Sequence, residues 1–394
     1  MRSTYRKLGP YIREVVERNS DLQVEPLLGV SVSKVFIPSI ANTIGTDMSR
    51  YKIVRENQFA YGPVTSRNSD KVSIALLGEP ECIISTSYTV FEIIDEEILR
   101  PEYLMMWFRR TEFDRYARFK SHGSVRELFG WDEMCDVELP IPSVEKQREI
   151  TEEYQTVVDR IQLNERLNEK LEEAAQAIYK QWFVDFDFPM TAVYTESIGK
   201  PELAGQPHKS GGGEMEYNEV LEQNIPKGWE PMLWGDIVTL EYGKGLRGYQ
   251  GASGDVPVYG TNGIVGMTVS PMWPSEGIIV GRKGVYRGVR YSAVPFFVID
   301  TAFYVATKRS ISMKWAYREI LRLNINDMES GSAIPSTSRT DFYERRCLFP
   351  SESLQSAFDV VVGRLRKRAD LSVSENQVVS QVGGLLLSSL AAKR

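Results

Sequence analysis

The sequence predicts an α+β protein: two mixed α/β modules related by a pseudo-twofold axis and joined by two long antiparallel coiled-coil helices. Three observations predict it. The chain resembles itself at a shift of 208 residues, each copy ends in a long apolar heptad, and strand-type runs precede each heptad. At that shift Pro142-Ser143 falls on Pro350-Ser351, Gln147 on Gln355, Ile150 on Phe358, Arg160 on Arg368, Asn168 on Asn376 and Trp182 on Leu390. Upstream, Gly123-Ser124 falls on Gly331-Ser332 and Trp107 on Trp315. So long a period excludes a solenoid and means two copies of one large module. The resulting divisions are a first module over 1–141, its long helix over 142–188, a linker over 189–225, a second module over 226–349 and a second long helix over 350–394.

In the first module the strand signals are Ile83-Ile84 and Tyr88 to Ile94, rich in β-branched and aromatic residues. The second module carries Gly277 to Val280 and Pro295 to Val305. Both regions are dense in turn residues, as small mixed sheets with long loops require. The linker is rich in Gly, Pro and polar residues, including Lys209-Ser210-Gly211-Gly212-Gly213, and reads as a flexible or irregular connection. No GxxxxGK[ST] phosphate loop occurs.

From Glu145 to Val184 there is no proline or glycine, and a seam recurs at steps of four and three: Ile150, Tyr154, Val157, Ile161, Asn164, Asn168, Leu171, Ala175, Ile178, Trp182. Such a heptad marks a helix packed along its length on another. At 1.5 Å per residue, about forty residues make a rod of roughly 60 Å. The second copy keeps phase through Phe358, Val362, Leu365, Ala369, Ser372, Asn376, Val379, Gly383, Leu386 and Leu390. Gly383-Gly384 lowers its helix propensity, which close approach of the partner backbone would offset. Asn164 and Asn168 either fix register or meet a partner. One such helix after each module predicts an antiparallel pair with the modules at opposite ends, a ruler suited to a target in two parts.

Of 394 residues 42% are apolar and 25% charged, a soluble globular balance that calls for more than one domain. The net charge of -6 speaks against nucleic acid only on average, because phosphate contact needs a local basic face. Cys82, Cys135 and Cys347 lie far apart, which suggests neither disulfides nor a zinc cluster, and hence a reducing compartment such as the cytoplasm. No signal peptide or membrane span is expected. The histidines, His122 and His208, sit beside no evident nucleophile, so no catalytic residue and no metal site is assigned.

Basic residues concentrate between Lys244 and Arg290. Lys244, Arg247, Arg282, Lys283, Arg287 and Arg290 against Asp255 and Glu276 make this segment +4, with glycines interleaved. Glycine permits close backbone approach, and Arg and Lys bind phosphates and guanine edges, so these loops suit DNA, although solvated loops can have the same composition. Tyr259-Gly260-Thr261-Asn262-Gly263 reads either as a plain hairpin turn or as a polar apex for contact. The DNA-binding candidates are Lys34, Arg50, Lys52, Tyr61 and Arg67 in the first module and Lys244, Arg247, Tyr259, Thr261, Asn262, Arg282, Lys283 and Arg287 in the second.

Leu139 to Pro189, with LPIP, then EKQREI, then NERLNEKLEEAAQAIYKQWFVDFDFP, resembles the helical region of type I restriction-modification specificity subunits. Similar to the same family are GKPELAGQPHKSGGGEMEYNEVLEQNIPKGWE in the linker, VPVYGTNGIVG, IIVGRKG, VIDTAFYV and SGSAIPS in the second module, and SVSKVFIPSIANTIGTDMSRYKIVRENQFAY with IISTSYTVFEI in the first. The last helix departs from the family's usual charged helix through its glycines and serines. The resemblance implies two target-recognition domains, each reading half of a bipartite site on double-stranded DNA, with the helices setting the spacer. It also implies two docked modification subunits that carry S-adenosylmethionine and methylate adenine, with restriction subunits that use ATP and Mg2+. This chain would bind no cofactor and catalyse nothing. The absence of an NPP[YF] or DPP[YF] tetrapeptide and of a Walker A motif agrees with that division. The alternatives are a coiled-coil scaffold without sequence-specific DNA binding, and a reader belonging to a fused restriction-methylation system.

Overall fold

The computed structural model describes residues 5–39, 45–65, 71–122, 127–251, 253–328 and 334–392. The chain divides into two compact units, Met1–Glu165 with Val373–Arg394, and Arg166–Ser372. Both long helices, Val144–Phe183 and Glu352–Ala392, run across that division.

The first unit is built on a four-stranded antiparallel sheet in the order Ile12–Val15, Thr89–Ile93, Phe59–Tyr61, Ile74–Leu76. Phe59–Tyr61 is buried at every position, as a central strand covered on both faces must be. Phe59 stacks on Phe91 at 4.8 Å and meets Phe108 edge-on at 5.8 Å. Helices Pro101–Phe108 and Thr111–Lys120 cover this core, which also takes in Ile150 and Leu390 from the two long helices.

The second unit repeats the plan. Its four-stranded antiparallel sheet runs Val238–Tyr242, Ala302–Thr307, Gly277–Gly281, Val289–Ser292, so in both units the first strand pairs with the last, and the last with a fully buried middle strand. The segment Pro295 to Val305, expected as one strand, divides: Phe297–Val298 runs parallel to Val256–Gly260 in a second sheet, while Ala302–Thr307 joins the first. Asp300 and Thr301, between them, carry the chain across. The shift of 208 takes strand Glu138–Pro140 onto Arg346–Leu348, and Val144 onto Glu352 at the start of the second long helix.

The repeated glutamine explains how each module joins its helix. Gln147 is fully buried; its Oε1 accepts from the Arg100 backbone N–H at 2.8 Å, and its Nε2 donates to the carbonyls of Ile98 at 2.8 Å and Pro142 at 2.9 Å. Gln355 does the same work: Oε1 accepts from Ser312 N–H at 2.7 Å and Nε2 donates to Pro350 at 2.8 Å. Arg100 and Ser312 are the N-cap residues of Pro101–Phe108 and Met313–Arg322. One side chain in each unit thus satisfies an orphan amide of a module helix from the first turn of the long helix.

In the first unit the long helices pair antiparallel. Asn164 Nδ2 donates to Asn376 Oδ1 at 2.8 Å, Val157 faces Gly383, and Ile150 and Leu390 share a core, so positions rise on one helix as they fall on the other. Arg160 holds Glu375 through Nε at 2.8 Å and Nη2 at 2.9 Å, and Glu375 also accepts from Asn164, so this seam asparagine sits in a polar layer that pins register. Ile161 is half-buried there, and so is Leu386 further along the second helix. In the second unit Tyr179, Trp182 and Phe183 surround Phe358 at centroid distances of 6.3, 5.9 and 5.1 Å. Leu171, Ile178 and Leu365 are half-buried along the same seam, and Asn168 is half-buried with its Oδ1 lacking a hydrogen-bond partner among the described residues.

The linker is ordered, contrary to the reading from composition. It forms helix Ala192–Ser197, capped by Thr191, and a hairpin of Met215–Asn218 with Gln223–Pro226. Between them the buried His208 ring stacks on Phe188 at 4.6 Å, and Phe188 on Trp229 at 5.5 Å, while Tyr194 Oη meets His208 Nε2 at 3.2 Å. Aromatics drawn from both ends give this polar stretch a small core that local composition does not reveal. Among the described residues no helix is long and apolar enough to cross a membrane.

Two stability predictions follow from the joints and the glycines. Gln147→Ala leaves an amide and two carbonyls unpaired, so it should cost about 1–3 kcal/mol in denaturant unfolding; a loss no larger than that of an exposed substitution would refute the clamp. A Cβ at Gly383 would lie 3.1 Å from Val157, whereas at Gly384 nothing is within 4 Å. Gly384→Ala should therefore stabilise by about 0.5–1 kcal/mol, and Gly383→Ala should give less or destabilise. Equal gains at both positions would contradict the close helix approach.

Candidate nucleic-acid interface

One end of the second unit's four-stranded sheet collects the basic loops. The C-terminal ends of Val238–Tyr242 and Gly277–Gly281 lie beside the N-terminal ends of Ala302–Thr307 and Val289–Ser292, as the antiparallel pairing requires. Gly281 N–H donates to Gly288 at 2.8 Å, closing the loop between them, and Gly288 N–H donates to Thr261 at 2.9 Å, tying in the turn of the second sheet. A Cβ at Gly281 would meet the Thr261 carbonyl oxygen at 2.4 Å, so only glycine fits. Thr337, buried, donates its hydroxyl to Gly281 at 2.7 Å and brings the segment after it alongside.

This framework displays Lys244, Arg247, Asn262, Lys283 and Arg290 on the surface. Arg290 Nη2 donates to Asn262 Oδ1 at 3.4 Å, so the two share a face. At the loop tip Val285 is 67% exposed and Tyr286 is 78% exposed, held out by Gly284 with its φ of +118°. Arg282 is half-buried, with its guanidinium 4.7 Å from the Tyr242 ring. Among the described residues none of Lys244, Arg247, Arg282, Lys283, Arg290 and Arg339 forms an ion pair; Glu276, one of the segment's two acidic residues, turns instead to Lys314 at 3.4 Å. These cations retain their field for an external anion.

Two of the sequence candidates here have structural duties instead. Arg287 is buried; its guanidinium donates to the backbone of Gly284, Ile325 and Asn326, and its own amide to the Asn326 side chain at 2.9 Å. It anchors the loop from beneath. Tyr259 is a core residue, edge-on to Phe296 at 6.0 Å, because it faces inward from a strand rather than from the turn. Thr261 is half-buried and contributes its carbonyl to the framework.

In the first unit, the corresponding sheet end carries the segments that follow Val15 and Tyr61 and those that precede Ile74 and Thr89. Arg18, Arg50 and Lys71 are exposed; Arg50 ends the 3-10 turn Met48–Arg50, and Arg18 bridges Lys52 through the backbone. Lys52 is half-buried, its Nζ donating to the Tyr88 carbonyl at 2.8 Å. Arg67 lies outside the described residues.

Lys34 and Tyr61 do not face this surface. Tyr61 is wholly buried in the aromatic core, and burial raises its hydroxyl pKa. Lys34, in the left-handed region at φ 63°, points inward to Asp114 Oδ1 at 2.8 Å and to the Phe108 carbonyl; burial pulls its ammonium below the ordinary lysine range against the raising effect of Asp114. Other first-module cations are neutralised locally: Arg55 by Glu17 and Glu81, Arg100 by Glu96 and Glu102, and Arg118 by Glu127.

Lys34→Ala should therefore act on stability, costing about 3–5 kcal/mol by stranding Asp114, whereas Arg50→Ala should stay within about 0.5 kcal/mol of the parent. Thermal unfolding of the two variants checks this, and a Lys34 variant as stable as the parent would return that residue to the surface.

No protein-family model matches the chain. It is 30% identical over 160 residues to the MjaIX type I restriction enzyme specificity subunit of Methanocaldococcus jannaschii, covering 41% of this chain and 32% of that protein. It is 33% identical over 199 residues to the HindI specificity subunit of Haemophilus influenzae, covering 41% of this chain and 43% of that protein. The chain thus spans less than half the length of either relative. In fold it is similar to the S subunit of a type I restriction-modification system from M. genitalium, with a TM-score of 0.53 and 14% identity over 98% of this chain and 95% of that one. Over 41% of its length the chain is similar in sequence to type I restriction enzyme specificity subunits, and over 98% of it the fold is similar to that of such an S subunit.

Proposed function

We propose that this chain is the non-catalytic, sequence-reading subunit of a type I restriction-modification enzyme. Each module reads one half of a bipartite, asymmetric target in double-stranded DNA, and the paired helices set the unread spacer. Two modification subunits dock on the chain and methylate adenine N6 with their own S-adenosylmethionine; restriction subunits, with ATP and Mg2+, add cleavage. Adenine methylation requires the base to be extruded into a catalytic pocket, a task separable from reading the sequence around it.

The observation that carries this reading is the unpaired basic surface around Arg282, Lys283 and Arg290, placed by glycine-tight loops at one sheet end in a chain of net charge -6. Anionic polymer is the partner such a face attracts, and the exposed Tyr286 and Asn262 supply groups that can enter a groove. The names of the relatives point to the same role.

Methylome sequencing of cells carrying this chain with its modification subunits tests the reading. Replacing residues 1–141 with another family member's first module should change one half of the methylated motif; changes in both halves would defeat modularity. Adding one heptad to each long helix lengthens the rod by about 10 Å, which should widen the spacer by about 3 base pairs at 3.4 Å each. An unaltered spacer would sink the ruler, and DNA binding without sequence preference would favour the scaffold.

A further inference from the structure

We propose that the cleft between Tyr242 and Arg339 is a clamp for a single backbone phosphate, distinct in task from the loop tip at Tyr286; this rests on the DNA reading above. The cleft, of about 600 Å³, opens at the sheet end and is lined by Tyr242, Phe303, Arg282, Lys283 and Arg339, with the hydroxyl residues Ser336 to Ser338 and Thr340 on its far wall. The Tyr242 ring has the Arg282 guanidinium carbon 4.7 Å from its centroid and that of Arg339 at 5.1 Å, so one aromatic platform orients two cations.

The guanidiniums have further anchors: Arg282 also lies 5.8 Å from the Phe303 ring, and Arg339 lies 5.6 Å from the Tyr343 ring and hydrogen-bonds the Tyr242 side chain. Arg282 Nη1 donates to the Asp300 backbone carbonyl at 2.9 Å, and Arg339 Nε donates to the Tyr343 hydroxyl at 3.2 Å. Most of their N–H groups therefore remain available, and Lys283 adds a third, exposed cation. Among the described residues no carboxylate lines the cleft, and none lies within ion-pair distance of these three side chains. Three cations in one cleft with no counter-charge repel one another, and an anion with several acceptor oxygens in tetrahedral array relieves that repulsion while matching two planar forks.

A phosphodiester has that chemistry, and a base edge does not: guanine presents two coplanar acceptors, which one guanidinium alone fills. The clamp is accordingly indifferent to sequence and sets the depth and register at which the tip meets the groove. Arg339 lies outside the glycine-rich basic segment and arrives only through the pairing of Lys283 with Ser336 and of Thr337 with Arg282.

The test uses the full chain assembled with its modification subunits. Binding is measured to a duplex bearing the methylated motif and to a scrambled duplex, across 50–200 mM KCl. Arg339→Ala and Arg282→Ala should each weaken both duplexes by the same factor, about tenfold, and should shrink the affinity ratio between the ends of that salt range about 3.5-fold, the loss of one phosphate contact. Arg339→Lys, which retains the charge and is the safer variant for folding, should restore most of the salt slope. An unchanged slope in both alanine variants would overturn the clamp, as would weakening confined to the motif duplex, which would make Arg339 a base reader. Parent complex that binds neither duplex would overturn the DNA reading itself, and the clamp with it.

Discussion

Burial of each long helix on its antiparallel partner is the constraint on which the remainder depends. A helix with only one apolar seam gains little in water alone, so Ile150, Val157 and Ile161 need the opposing surface of Val379, Gly383, Leu386 and Leu390. That requirement makes the first unit discontinuous in sequence: its core closes only when residues 373–392 return to it. Polar groups then select among possible registers. The Asn164–Asn376 bond and the bidentate Arg160–Glu375 pair can form in one alignment only, because a slip of one heptad would separate all four groups. Gln147 and Gln355 transmit that alignment outward by tying a module helix to the first turn of each long helix.

Charge in this molecule is organised by position rather than by amount. In the first module Arg55, Arg100 and Arg118 are paired with glutamates and Lys34 is buried with Asp114, while Arg18, Arg50 and Lys71 stay exposed at the sheet end. In the second, a Cβ at Gly281 or Gly288 would collide across the loops and Gly284 takes a φ of +118°, so the backbone packs tightly and, among the described residues, the cations project without ion-pair partners. The same glycines that allow tight loops thus decide where the field is strong.

Much of this was legible in the sequence, and the parts that were not share a cause. The 208-residue shift located the second long helix, because an identical heptad phase and the Pro-Ser-x-x-x-Gln start are local patterns. Residue type alone could not separate Arg282, which lies in an open cleft, from Arg287, five positions on, whose guanidinium is consumed by backbone carbonyls. Strand phase would have warned against Tyr61 and Tyr259, since both continue runs of buried residues. Arg339 carried no local signal, because its place beside Tyr242 depends on pairing between segments more than fifty residues apart. The linker misled for a similar reason: its core is an aromatic stack assembled from Phe188, His208 and Trp229.

The discontinuity of the first unit has a consequence for biosynthesis. A ribosome adding about 5–20 residues per second needs roughly 10–40 s to make the second unit, and throughout that interval the first module waits with the seam of its helix uncovered. Leu390, a buried apolar residue of its core, is made only after the whole second unit. Until then Ile150 and its neighbours present apolar surface that only the returning helix covers. Premature termination anywhere in the second half would therefore release not one healthy module and one stump, but two incomplete bodies fit for proteolysis.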